Sequence, residues 1–124
     1  MTSNIDEIKN FVQRCGKCII KPLNKCFGAN VFMVKNDDLN TNTIIKLVTN
    51  DGSKVVMVQK FVESSLKGDK RILILGDKVL NFALNKIPNN NDFKFSTHND
   101  SHLSLTHMTQ KEFSMVKIVA EKLN

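Results

Sequence analysis

Tryptophan and tyrosine are absent from these 124 residues, and only two prolines and two arginines occur. With neither Trp nor Tyr present, any stacking against a flat ligand ring falls to the eight phenylalanines. No stretch approaches the roughly 18 consecutive apolar residues that span a bilayer. Met1–Lys17 also lacks an apolar block followed by a small-residue cleavage site. These absences lead us to expect a soluble intracellular protein, in nucleus or cytoplasm, with no membrane partner.

Three cysteines, an odd number, argue against a secreted disulfide framework. Cys15-x-x-Cys18 with Cys26 nearby offers three zinc ligands, but no second Cys-x-x-Cys or compact His-x₃₋₅-His accompanies them. Burial of small apolar thiols is the simpler reading, with metal binding and redox chemistry left open. We expect no metal and no cofactor. Neither a Walker-type phosphate loop nor a Gly-x-Gly-x-x-Gly is present. No reactive Ser or Cys sits in a catalytic motif, so the expectation is a protein that is not an enzyme.

What the chain does have is an ordinary globular composition, 41% apolar and 24% charged, enough to fold. Its length suits a single domain, 1–124, within which 17–67 and 70–124 read as a pseudo-repeat. Abundant Asn and Lys with few Arg reflect an AT-rich coding sequence, which points to a viral, protist or similarly biased genome.

The net charge of +6 is unevenly placed. Between Lys9 and Lys35 lie Lys9, Arg14, Lys17, Lys21, Lys25 and Lys35 with no Asp or Glu, while the remaining cations equal the acids in number. Such a local positive field attracts phosphate backbones or anionic surfaces. A solvated, solubilising face is the plain alternative.

Local patterns predict an α+β fold: an antiparallel, β-rich sheet of short strands with an N-terminal helix and a C-terminal amphipathic helix packed on one face. Asn4 caps a helix that carries Ile5, Ile8, Phe11 and Val12 on one side, and Gly16 stops it. Strands are expected near 18–23, 31–35, 43–49 and 54–62. Asn50-Asp51-Gly52-Ser53 between the last two reads as a hairpin turn. Residues 61–67 fit a short helix equally well. Further strands are expected at 71–75, 78–86, 93–98 and 102–107, separated by turn residues. Thr109-Gln110-Lys111-Glu112 is a capping box opening a helix with Phe113, Val116, Val119, Ala120 and Leu123 as its stripe.

Of His98, His102 and His107, pairing across Asn99–Ser101 would set His98 beside His102 on the polar face, where two imidazoles could hold a metal or exchange a proton, or could simply be solvated. His102-Leu103-Ser104 and His107-Met108-Thr109 resemble elements of two-histidine phosphodiesterases, yet they share one strand end. Lys67-Gly68-Asp69-Lys70-Arg71 forms a cationic tip suited to a phosphate or to water.

Residues 71–123, four strands ending in a hydroxyl-rich strand, a capping box and an amphipathic helix, resemble one repeat of the Pur proteins and of the positive cofactor four coactivators. Both are similar to the wider Whirly-like group. That resemblance implies curved antiparallel sheets binding single-stranded DNA or RNA and helices packed in a two-fold or pseudo-two-fold core, hence a homodimer or an internal pair. Val58–Phe61 with Lys67–Leu75 is also similar to a strand-loop-strand unit of an oligonucleotide-binding barrel.

The function expected from the sequence is single-stranded DNA or RNA binding in replication or transcription. Lys17, Lys21, Lys25, Lys35, Lys46, Lys70, Arg71 and Lys94 would hold the backbone. The alternative is a protein-protein interaction module, for example a viral factor docking on a host or viral protein.

Overall fold

The computed structural model of the chain describes residues 1–25, 29–76, 78–88, 93 and 102–123. These fall into two compact units, Met1–Glu63 and Ser64–Asn124. The class is α+β with a helix near each end, as expected, but among the described residues the strands form two three-stranded antiparallel sheets, one in each unit.

In the first unit, α1 (Ile5–Cys15) starts where the Asn4 side chain accepts hydrogen bonds from the backbone N–H groups of Asp6 and Glu7, at 2.9 and 3.1 Å. Asp6 and Glu7 in the first turn and Arg14 in the last complement the helix dipole. Gly16, at φ 75°, ends the helix by donating its N–H to the Val12 carbonyl at 2.8 Å. A positive φ of this kind is where glycine costs least. The chain then enters β1 (Lys17–Pro22), central in a sheet ordered β2-β1-β3, with β2 at Phe32–Lys35 and β3 at Val56–Lys60.

Between β2 and β3 runs α2 (Thr41–Thr49), where the sequence suggested a strand and a hairpin. Its β-branched residues carry strand propensity, yet Thr41, Ile45 and Thr49 recur every four residues and are its buried positions. The turn chemistry was correctly seen but serves another purpose. Asn50, Asp51 and Gly52 all have positive φ, and here they unwind a helix end. The N–H groups of Asn50 and Asp51 reach back to the Leu47 and Lys46 carbonyls. Left-handed residues close a helix as readily as they turn a hairpin, and only the distant packing partner decides.

Both helices cover the same side of the first sheet. Ile8 and Val12 of α1, Ile45 of α2, and Cys18, Ile20, Val34 and Val56 of the strands form one buried cluster. Each full burial of an Ile or Val is worth about 1.5–3 kcal/mol.

A 3₁₀ turn at Glu63–Lys67 follows, so the helical option for 61–67 is the one realised in part. In the second unit β4 (Asp69–Leu75), β5 (Lys78–Ile87) and β6 (His102–His107) pair in the order β4-β5-β6. The capping box performs as read. Thr109 Oγ1 accepts from the Glu112 N–H at 3.2 Å, Glu112 accepts from the Thr109 N–H at 2.8 Å, and α3 (Gln110–Leu123) follows. The expected strand at 93–98, with His98, lies outside the described residues apart from Phe93, as do Cys26 and Lys94. This unit buries little: among the described residues, Ala83, Pro88 and Ala120 are its buried apolar residues, whereas Leu105 remains 70% exposed.

Candidate functional site

Strand alternation separates each sheet into a helix-covered face and an open one. In the first unit Cys18, Ile20, Val34 and Val56 point into the core, so the intervening residues line the other side. Directly opposed residues share a face, and the register sets Lys17 against Lys35, Ile19 between Met33 and Gln59, and Lys21 against Met57. The open face is therefore an apolar floor of Ile19, Met33 and Met57 with lysines on its margins.

Lys17 is the best-anchored of these cations. Its ammonium lies 2.9 Å from Glu63 Oε1 and 4.4 Å from the centroid of the Phe61 ring, an ion pair and a cation–π contact at once. Phe61 is brought there by its N–H, which donates to the Lys17 carbonyl at 3.0 Å. Among the described residues no ion pair reaches Lys21 or Lys35. With Lys17 answered by Glu63, Lys21 and Lys35 are the cations that leave this face receptive to an anion.

The other cations singled out in the sequence do not join this face. Lys46 is exposed on α2, on the helix-covered side. Lys25 lines a separate cleft of about 420 Å³ with Pro22, Phe32, Leu47 and Lys54. In the second unit Lys70 and Arg71, neighbours in sequence, point to opposite faces because a strand alternates. Lys70 shares a row with Asn85 and pairs with Glu112 of α3 at 2.9 Å. The Glu112 carboxyl is held down to about 2, first by the Thr109 backbone N–H, then by Lys70 and the Thr109 hydroxyl. Arg71 stands instead in a row with Leu84 and Leu105, beside the row of Asp69, Lys86 and Leu103. That face carries Arg71, Lys86 and Asp69 among leucines, of which Leu103 and Leu105 are exposed.

The sequence reading missed Ile19, Met33, Met57, Phe61, Glu63 and Lys86. The signal for the first three was available in β1, where Lys17, Ile19 and Lys21 alternate with Cys18 and Ile20. Of the histidines, the two described ones form no centre: His102 and His107 sit at the two ends of β6. Among the described residues no group of three or more His, Cys, Asp or Glu side chains gathers around a common point, and no helix is long and apolar enough to cross a membrane.

The family model described as the prokaryotic glutathione synthetase ATP-grasp domain matches residues 1–124. A glutathione synthetase of Vibrio vulnificus is 40% identical over 88 residues, 71% of this chain and 28% of that protein. One from Gloeobacter violaceus is 32% identical over 117 residues, 94% of this chain and 36% of its own length. One from Wigglesworthia glossinidia brevipalpis is 36% identical over 87 residues. The chain thus spans roughly a third of the relatives it matches.

These matches overturn several expectations. The likeness to the Whirly-like group followed element order alone, and strands ending in a capped helix are common to unrelated folds. Single-stranded nucleic acid as partner, the protein-docking alternative, the viral origin and the non-enzymatic reading fall with it. A nuclear location finds no support in a family described as prokaryotic. The lack of Walker and Gly-x-Gly-x-x-Gly motifs does not exclude this family, because they mark only some of the ways a fold can receive a nucleotide. With its whole length matched, this chain belongs to the prokaryotic glutathione synthetase ATP-grasp family.

Proposed function

We propose that residues 1–124 supply the nucleotide-receiving part of an intracellular, ATP-dependent ligase that makes glutathione, both units contributing to one domain. The observation that carries this reading is the open face of the first sheet. An adenine ring needs a flat apolar bed and a phosphate chain needs cations at its edge. Ile19, Met33 and Met57 offer the bed, and Lys21 and Lys35 the cations. Lys17, held by Glu63, sets the edge of the bed and keeps β1 and the Phe61–Glu63 segment together.

The residues do three things in this reading. The floor excludes water from one side of the ring, which strengthens the electrostatic hold on the phosphates. Lys21 and Lys35 neutralise phosphate charge and orient the chain. In the second unit, Arg71 on the open face of β4-β5-β6 suits a carboxylate of an acidic peptide such as glutathione or its precursor.

Isothermal titration of the chain with ATP and magnesium tests the reading. Saturable binding that weakens as salt is raised is expected, and Lys21→Met should weaken it roughly tenfold or more, the scale of a lost charged hydrogen bond. Absence of binding, or equal affinity in Lys21→Met, would overturn it.

A further inference from the structure

The cleft that holds Lys25 has no part in the proposed nucleotide face. It lies on the other side of the first sheet: Phe32 stands opposite Ile20 and Pro22 opposite Val56, and Ile20 and Val56 belong to the buried cluster under the helices. Leu47 and Val48, from the last turns of α2, close the cleft from above and leave a space of about 420 Å³. That volume suits a small molecule, whose sites run from about 300 to 1,000 Å³.

The lining is one-sided in charge. Pro22, Phe32, Leu47 and Val48 supply apolar walls, Lys25 and Lys54 supply two cations, and no Asp or Glu lines the space. Among the described residues no ion pair reaches either lysine. Leu47 stays 70% exposed at the margin, an apolar side chain that a ligand would cover.

The C-terminus of a helix ordinarily repels an anion, because its last carbonyls have no partner within the helix. Here they are answered. The carbonyls of Leu47, Lys46 and Thr49 accept from the backbone N–H groups of Asn50, Asp51 and Lys54, at 3.2, 2.9 and 2.7 Å. The last of these bonds also fixes the backbone of Lys54 against the helix end.

We propose that this cleft is a second ligand site, which takes a small phosphate monoester with an apolar body. A phosphate monoester carries close to two negative charges at neutral pH, about −1.5 to −2, and two ammonium groups match it where a single carboxylate would leave one unanswered. Lysine holds phosphate as a point charge, and the side-chain amides of Asn24 and Asn30, also in the lining, can donate to the remaining oxygens. The body of the ligand lies against Phe32 and Leu47.

The site owes nothing to the proposed reaction, so its test needs no ATP. The ¹⁵N-labelled chain is titrated at physiological salt with phenyl phosphate, with inorganic phosphate and with benzoate, and the amide resonances are followed. Phenyl phosphate should shift Phe32, Leu47 and Lys54 saturably. It should bind about tenfold more tightly than inorganic phosphate, the gain from covering roughly 50 Å² of apolar surface, and more tightly than benzoate. Lys25→Ala and Lys54→Ala should each weaken it severalfold. Leu47→Glu, at an exposed position, should abolish it by setting a carboxylate in the cleft, while Lys21→Met on the opposite face should leave it within about twofold. Absence of saturable shifts around the cleft, equal affinity for benzoate or for inorganic phosphate, or shifts that centre on Ile19, Met33 and Met57 and vanish in Lys21→Met would each overturn the proposal.

Discussion

Lys17 and Lys35 stand directly opposite each other across β1 and β2, and Glu63 answers only the first of them, at 2.9 Å. The arrangement leaves one ammonium neutralised and one facing outward from the same strand pair. It joins the stability of the first unit to its appetite for anions.

Glu63→Gln removes that carboxylate while keeping its size. The pair is partly exposed, with two thirds of the Glu63 side chain open to solvent, so the stability cost should be at most about 1 kcal/mol and should shrink in high salt. Urea midpoints at low and high salt, for the variant and its parent, check this.

Lys46 offers a control for the nucleotide site. It is a lysine of the same unit but on the helix-covered side, so Lys46→Ala should leave ATP affinity within about twofold, since distant exposed charges are screened. Lys35→Ala should instead weaken it severalfold or more. Titration calorimetry at physiological salt compares the two.

The Glu112 carboxyl has a pH window that can be read from its pKa. Folding lowers it from the ordinary 4.5 to about 2. A depressed carboxylate contributes stability that is fully present above the unfolded value and is lost as pH falls through the folded one. Thermal midpoints of the parent and of Glu112→Gln should therefore differ most above pH 4.5 and converge towards pH 2.

Gly68 precedes β4 at φ 127°, and a side chain there would meet Asn85 Oδ1 at 2.6 Å. Gly68→Ala should cost about 1–3 kcal/mol, combining an unfavourable backbone region with displacement of Asn85. Urea denaturation followed by circular dichroism would register it as a lowered midpoint.

Thr49 is fully buried at the end of α2. Its hydroxyl donates to the Ile45 carbonyl at 2.7 Å and accepts from the Gly52 N–H at 3.1 Å. Thr49→Val keeps the shape and strands the Gly52 N–H, so a loss of about 1–3 kcal/mol is expected. Faster hydrogen exchange at Gly52 would identify the cause.

Much of the fold was legible wherever a local signal sufficed. Asn4 and Thr109 announced their helices because capping satisfies backbone donors within a few residues. The β1 alternation of Lys17, Ile19 and Lys21 against Cys18 and Ile20 was equally plain. Residues 41–49 were misread because their β-branched side chains and following Asn-Asp-Gly suit a strand and hairpin as well as a helix and its left-handed end. The function was misread for a related reason. Clustering of cations along the sequence is not clustering in space, and Lys46 and Lys25 separate from Lys21 once the sheet is built.

By itself the sequence determined the helix starts, most of the strands, the α+β class and the positive charge, since all of these depend on neighbours within a turn or two. The tertiary structure alone decided that 41–49 is a helix, that strands divide into two sheets, and that Lys17, Lys21 and Lys35 share one face around Ile19, Met33 and Met57. Those outcomes depend on contacts between residues far apart in the chain, where burial of Ile45 and Thr49 outweighs local preference and register chooses which side chains meet.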